Sequence, residues 1–300
     1  MKMGYVGLGK MGFNMVERLL EKGYEVAVFD TNRDAVQNIS QKGAEPTDSL
    51  ESLAWAVPFP RLVWLMVPYQ AVDHVIAGLT PYLSPDDTIV DGGNSPHKQS
   101  MRRAKELEQR GVAFLDAGVS GGPVGARSGA CMMVGGRKDV FKSYEAVFRD
   151  LSVENGYGYM GGSGAGHFVK MVHNGIEYGM MQALAEGFAL LKSSPFSLDL
   201  VRVADVYNHQ SVIESRLVGW LKEALEQYGE ALGEISGSVD YTGEVGWTVE
   251  AAKELNLSVP AIERALAFRI ESQQNPSYAG QFLSAMRHQF GGHEVFRKKK

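Results

Sequence analysis

Lys170, Asn174 and Glu177 are spaced i, i+4 and i+7 within the run Gly164-Ala165-Gly166-His167-Phe168-Val169-Lys170-Met171-Val172-His173-Asn174-Gly175-Ile176-Glu177-Tyr178, so on a helix they line one face. Their neighbours Phe168, Val169, Met171, Val172 and Ile176 are apolar, and His173 and Tyr178 flank the stripe. A lysine and a glutamate in an otherwise buried helix are costly without partners. In enzymes such surroundings tune side chains for proton transfer. On this reading a desolvated Lys170 is a base and a protonated Glu177 an acid. The competing reading is a solvated polar face with a Lys–Glu helix pair, His173 being a packed histidine.

A second constellation would hold a nucleotide. Gly7-Leu8-Gly9-Lys10-Met11-Gly12 is a G-x-G-x-x-G that follows a buried strand and opens an amphipathic helix. Gly7 allows the tight turn, Gly9 lets backbone approach a pyrophosphate, and Gly12 lets helix and strand pack closely. The anion then sits at a helix N-terminus, where free N–H groups and the dipole favour it. Asp30 ends the second strand, 18 residues after Gly12. There a carboxylate accepts from both ribose hydroxyls and repels a 2′-phosphate, which favours NAD over NADP, with Arg33 nearby as a partial offset. The expected cofactor contacts are Gly7, Leu8, Gly9, Lys10, Met11, Gly12, Asp30, Val67, Pro68 and Asn94. Without a ligand the glycines would make a tight turn and Asp30 would cap one. Asp91-Gly92-Gly93-Asn94-Ser95 and Val119-Ser120-Gly121-Gly122-Pro123 also follow strands, where α/β sheets bind ligands. The backbone N–H groups of the latter suit a carboxylate, with the Ser120 hydroxyl in support. The bland reading of each is a turn.

The elements that would position these residues alternate in the first half. Strands are expected at Met3–Leu8, Tyr24–Phe29, Arg61–Val67, Thr88–Asp91, Val112–Asp116 and Cys131–Val134. Helices are expected at Lys10–Lys22, Arg33–Gln41, Ala71–Leu83, Pro96–Gln109 and Val140–Leu151. This alternation predicts an α/β Rossmann domain with a mostly parallel, doubly wound sheet over residues 1–163. Beyond it only helical patterns appear, near 166–192, 197–208, 211–228, 248–256, 260–274 and 277–289. They predict an all-α substrate and oligomerisation domain over 164–300.

Composition bounds the class. The 300 residues are 44% hydrophobic and 22% charged, with a net charge of −5, enough for one or two cores. The acidic balance argues against nucleic-acid binding, and the basic Arg297-Lys298-Lys299-Lys300 reads as a solvated end. Cys131 stands alone, which excludes a disulfide framework and a cysteine zinc site, and it is expected to be inert in a core strand. The longest apolar stretch, Leu62–Val67, is too short to span a bilayer, and no signal-peptide pattern opens the chain, so a cytoplasmic protein with no membrane partner is expected. No metal-ligand cluster is apparent. Glycine is the outlier: 35 residues, with four in 4–12, seven in 118–136 and six in 156–166. Clusters of this kind mark tight turns or close approach of backbone to a ligand.

Gly7–Gly12, Asp91–Ser95, Val119–Gly122 and above all His167–Gly179 resemble the β-hydroxyacid dehydrogenases, and among them the decarboxylating 6-phosphogluconate dehydrogenase branch. The resemblance covers most of the chain. The 3-hydroxyisobutyrate branch usually carries two asparagines where this chain has His173-Asn174. The resemblance implies oxidation and decarboxylation of 6-phosphogluconate to ribulose 5-phosphate and CO₂, with hydride transfer to NAD, or less readily NADP, and no metal. The alternative is a 3-hydroxyacid dehydrogenase without decarboxylation; a non-catalytic NAD sensor would not need the complete stripe. Lys170 would then be general base and Glu177 general acid. Asn174 and His173 would orient the substrate, with Ser120, Gly121 and Gly122 at its carboxylate, Asn94 between it and the cofactor, and Tyr178 at its phosphate. The family's phosphate-binding arginine matches Arg269, downstream of Trp247-Thr248. Its C-terminal arginine and histidine match Arg287 and His293; in the family that pair reaches into a neighbouring subunit's site, which implies a homodimer or homotetramer. The chain departs from the family at Tyr241-Thr242-Gly243-Glu244, where members often carry Lys and Thr, and at Asp30, an acid that NADP-dependent members lack. The long members' duplicated helical domain does not fit in 300 residues.

Overall fold

The structure, a computed structural model, describes residues 1–241, 243–292 and 295. His293 and the basic run at 297–300 lie outside the described residues. The chain forms two compact units, Met1–Met171 and Val172–Lys300.

The first unit alternates as expected: β1 (Lys2–Val6), α1 (Lys10–Glu21), β2 (Glu25–Phe29), α2 (Arg33–Ser40), β3 (Glu45–Pro46), α3 (Leu50–Ala56), β4 (Leu62–Leu65), α4 (Tyr69–Leu79), β5 (Thr88–Asp91), α5 (His97–Glu108), β6 (Ala113–Ser120), α6 (Gly122–Ser128), β7 (Ala130–Gly136), α7 (Lys138–Ser143), α8 (Glu145–Leu151) and β8 (Ser152–Gly161). The eight strands form one sheet in the order β3-β2-β1-β4-β5-β6-β7-β8. Every pair is parallel except β6–β7. Strands such as Leu-Val-Trp-Leu of β4 are buried throughout, because one apolar cluster covers each face of the sheet. The strand order reverses between β1 and β4, and in open α/β sheets ligands bind outside the carboxyl ends of the strands at such a switch point.

Several elements differ from the sequence expectation. β6 runs on to Ser120, so Asp116 lies inside the strand rather than at its end. The helix expected over Val140–Leu151 is two helices, broken at Tyr144 (φ −112°, ψ 12°). The glycine- and tyrosine-rich stretch before the catalytic run is itself an edge strand, β8, which lacks the apolar alternation that would reveal it. The short β3, α3 and α6 were not expected either. Cys131 is in β7 but exposed, not in the core: it opposes Ser120 at the last rung of the β6–β7 ladder.

α9 (Ala165–Lys192) begins in the first unit and continues into the second, followed by α10 (Leu200–Tyr207), α11 (Arg216–Tyr228), α12 (Glu244–Glu254), α13 (Pro260–Ser272) and α14 (Tyr278–Gly291). Among the described residues of the second unit there is no strand. Side chains set several helix starts: Asp199, Ser215 and Ser277 accept N–H groups in the first turns of α10, α11 and α14. The buried faces converge on a core around Phe188, Leu221, Phe282 and Met286.

The start of α9 lies against the sheet with no space for a side chain. A methyl group on Gly166 would fall 2.4 Å from the Asp116 carbonyl oxygen and 2.5 Å from that of Met133. Gly166→Ala must therefore displace backbone, at a cost of about 1–3 kcal/mol or more. Thermal unfolding should show a midpoint lowered by several degrees, and an unchanged midpoint would contradict this packing.

Candidate functional site

In the first unit the glycine turn after β1 is built as a phosphate cradle. Gly7 takes φ +100°, and a side chain there would meet the Met66 carbonyl oxygen at 2.4 Å. Gly12 sits so close to the turn that a methyl on it would lie 2.0 Å from the Gly7 carbonyl oxygen. In front of Gly9, by contrast, nothing lies within 4 Å of where a side chain would start. Gly9 caps α1 without a side-chain hydrogen bond, and no acid stands in the first turn formed by Lys10, Met11 and Gly12. A helix end left this way suits an anion. Asp30 follows β2 and accepts the Leu8 N–H (2.5 Å) and the Asn32 N–H (2.7 Å), which holds its carboxylate beside the turn. Arg33 is engaged by Asp48 at 2.6 Å. These features fit a dinucleotide, whose pyrophosphate would lie over Gly9 and whose ribose would face Asp30.

Val67 and Pro68 follow β4. A side-chain atom on Gly7 would lie 2.8 Å from Val67 Cγ1, and one on Gly93 would lie 2.3 Å from the Val67 carbonyl oxygen. The loops after β1, β4 and β5 therefore meet. The β5 loop is anchored by a buried network that the sequence did not announce. Asp91 accepts the Gly93 N–H (3.0 Å), the Ser95 hydroxyl (2.7 Å) and Arg103 Nη1 (3.0 Å), while Arg103 also donates to Asp73 (2.7 Å). A buried ion pair of this kind is sustained by its extra hydrogen bonds. It presents Asn94 in a left-handed conformation (φ 52°), its Oδ1 accepting the Val119 N–H at 3.4 Å. Asn94 and the Val119-Ser120 turn are thus neighbours. Gly121 and Gly122, both at positive φ, turn the chain from Ser120 into α6.

Lys170 is buried, with 6% of its surface exposed. Its stem lies on Gly118 of β6, where a methyl would come within 2.3 Å of Lys170 Cβ. Asp116, two residues earlier, accepts the Gly164 N–H (2.6 Å) and the His167 N–H (2.8 Å) at the start of α9. His167 Nδ1 meets the Ser100 hydroxyl at 2.8 Å. Asp116 and Ser100 carried no functional reading in the sequence; the one available signal was a carboxylate inside an apolar run.

In the second unit His173 Nδ1 is hydrogen-bonded to Asn174 Oδ1 at 3.0 Å, and the Glu177 carboxylate stands beside it, with Oε2 3.8 Å from the same nitrogen. One residue on, Tyr178 is buried with the Arg269 guanidinium 3.2 Å from its ring centre. Arg269 is only 1% exposed, and its Nε and Nη1 have no hydrogen-bond partner among the described residues. Burial, aided by the like charge of Arg287, lowers its pKa to about 10, while Tyr178 and Glu177 act in the opposite direction. Arg287 is itself buried on α14. Two orphaned donors on a buried cation are rare in a folded protein, and an anion would suit them. Thr248, on α12, donates to the Glu244 carbonyl at 3.0 Å and packs near Gly175.

Comparison with known proteins agrees with this chemistry. Residues 2–161 match the family profile described as the NAD binding domain of 6-phosphogluconate dehydrogenase, and residues 166–281 match that enzyme's C-terminal domain. The chain is 43% identical over 298 residues to the Bacillus subtilis protein YqeC, covering 99% of this chain and 100% of that one. It is 42% identical over 300 residues to the NAD(+)-dependent, decarboxylating 6-phosphogluconate dehydrogenase of Haloferax volcanii, covering 99% of each. Among solved structures, Plasmodium falciparum 6-phosphogluconate dehydrogenase superposes with a TM-score of 0.85 at 28% identity, over 92% of this chain and 62% of that one. Mycobacterium tuberculosis 3-hydroxyisobutyrate dehydrogenase shares the fold, with a TM-score of 0.74 at 19% identity over 94% of this chain and 97% of that one. A nicotinamide-type dinucleotide turn, a lysine–glutamate helix and a matching profile on each side of residue 164 thus have one common explanation: the chain belongs to the 6-phosphogluconate dehydrogenase family.

Proposed function

We propose that the protein oxidises and decarboxylates 6-phosphogluconate to ribulose 5-phosphate and CO₂, using NAD. The observation that carries this reading is Arg269, buried on Tyr178 with two donors unsatisfied and Arg287 within its electrostatic reach. A phosphate dianion would complete that environment, because guanidinium forks match phosphate oxygens in shape and charge. An unphosphorylated hydroxy acid would leave the cation without its counter-charge.

The reaction then follows from the residues of α9. Neutral Lys170 takes the proton of the C3 hydroxyl as the C3 hydride departs, leaving a 3-keto acid and a lysine ammonium. The bound nicotinamide supplies the hydride acceptor. The C1–C2 bond breaks next: CO₂ leaves, and the electron pair passes to the C3 carbonyl oxygen, which the Lys170 ammonium protonates. Glu177 protonates the resulting enediol at the carbon that lost CO₂ while Lys170, neutral again, takes back the C3 hydroxyl proton, giving the ketose. His173 and Asn174 orient the substrate hydroxyls, Ser120 with Gly121 and Gly122 takes the carboxylate, and Tyr178, Arg269 and Arg287 take the phosphate. His293 is assigned to the same phosphate by family resemblance alone. That resemblance also supports a homodimer or homotetramer whose C-terminal residues serve a neighbouring site.

NAD is favoured over NADP because Asp30 places a carboxylate at the ribose position and Arg33 is held by Asp48. Asp30→Ala should reduce the preference for NAD over NADP in kcat/KM by about 10-fold or more, the scale of one charge-assisted hydrogen bond; an unchanged ratio would contradict the assignment. Lys170→Met should lower kcat by about 10³-fold or more while leaving the Kd for NAD intact, and near-normal turnover would remove Lys170 from the mechanism. Arg269→Met should raise KM for 6-phosphogluconate about 30-fold or more, since a charged hydrogen-bonding group is lost, with no effect on an unphosphorylated 3-hydroxy acid. Equal effects on both substrates would favour the non-decarboxylating 3-hydroxyacid reading.

A further inference from the structure

We propose that Asp116 is a positioning residue for Lys170, fixing the height and rotation of the first turns of α9 so that the Lys170 amine meets the substrate hydroxyl. The proposal rests on the reading of Lys170 as the base, and its geometry lies wholly within the first unit. Side chains two apart in a strand point to the same face, so Asp116 and Gly118 share the face of β6 on which α9 lies. Gly118 is the residue under the Lys170 stem, and Asp116 is the completely buried residue beside it.

The Asp116 carboxylate grips α9 at two points. One oxygen accepts the Gly164 N–H and the other the His167 N–H. Two bonds to two residues of one turn fix rotation as well as axial position, which a single cap does not. The carboxylate also stands at the positive end of the helix dipole. A cap needed for stability alone would come most simply from a Ser or Asp at 164 on the helix's own chain; that position is instead a glycine at φ +90°. The cap is supplied by the sheet, and so it ties the helix to the strand. His167 carries a second tie, from Nδ1 to Ser100 of α5, while its buried Nε2 has no partner among the described residues. Lys170 follows His167 by three residues, less than one turn, so any rotation of that turn reaches the amine directly.

The test compares wild-type protein with Asp116→Asn, whose amide keeps the size but meets one of the two N–H groups with a donor. Ser100→Ala is run alongside as a milder change. Steady-state kinetics with 6-phosphogluconate and NAD should show kcat reduced about 10- to 100-fold for Asp116→Asn and about 3- to 10-fold for Ser100→Ala, with both KM values changed less than about 3-fold. The deuterium isotope effect on kcat with C3-deuterated substrate should rise in both, because a displaced base makes the bond-breaking step limiting. If the variants keep wild-type kcat and isotope effect per folded molecule, the proposal is overturned and Asp116 is only a stabilising cap. Should Asp116→Asn not fold, Ser100→Ala decides by the same criteria. Wild-type protein inactive on this substrate would instead overturn the reading of Lys170, and the proposal with it.

Discussion

Where α9 meets the sheet, backbone touches backbone. Gly166 lies against the carbonyls of Asp116 and Met133, Gly135 lies 2.6 Å from the Gly166 nitrogen when measured from its missing side chain, and Gly118 lies under Lys170. Three glycines on three elements remove the layer of side chains that normally separates helix from sheet, and the buried Asp116 carboxylate satisfies the helix donors brought into that dry contact. The role assigned to Lys170 depends on this approach. It sets where a buried lysine stands relative to the loops after β5 and β6, and it explains why glycine is abundant on both sides of the contact.

The same economy of side chains shapes the dinucleotide turn. Gly7 and Gly12 are closed against neighbouring backbone, while Gly9 opens onto free space. One motif thus contains two packing glycines and one that leaves its backbone open to a ligand. The second unit uses the opposite device. It buries a charge, Arg269, against an aromatic ring and leaves two of its nitrogens without partners among the described residues. Such an arrangement costs stability in the free protein, a cost that the proposed phosphate would offset on binding.

Much of this was legible in the sequence, for physical reasons that differ by element. α1 showed clear periodicity, with Met11, Met15, Leu19 and Leu20 on one face and Gly23 as its stop, and the parallel sheet followed from alternation of buried strands with helices. The G-x-G-x-x-G and the i, i+4, i+7 stripe were readable because backbone geometry dictates their spacing. β8 was hidden because an edge strand rich in glycine and tyrosine has no apolar alternation. Tyr144 breaks a helix whose residues favour continuity, and no proline or glycine marks the break. The strand expected over Val112–Asp116 runs on to Ser120 because the Asp116 carboxylate, unfavourable in mid-strand by itself, is satisfied by helix donors far along the chain. The Asp91–Arg103–Asp73 network was hidden likewise, since its partners come together only through tertiary folding. The exposure of Cys131 depended on which rung of the ladder it occupied, which strand pairing alone determines.

If, as proposed, this chain couples oxidation of a phosphorylated sugar acid to loss of CO₂, NADH and CO₂ must form together. Following NADH absorbance and released CO₂ with purified protein, 6-phosphogluconate and NAD tests this. Both are expected at the same rate and in a one-to-one ratio, with slower turnover when NADP replaces NAD. NADH without CO₂, or no NADH at all with this substrate, would contradict the proposal.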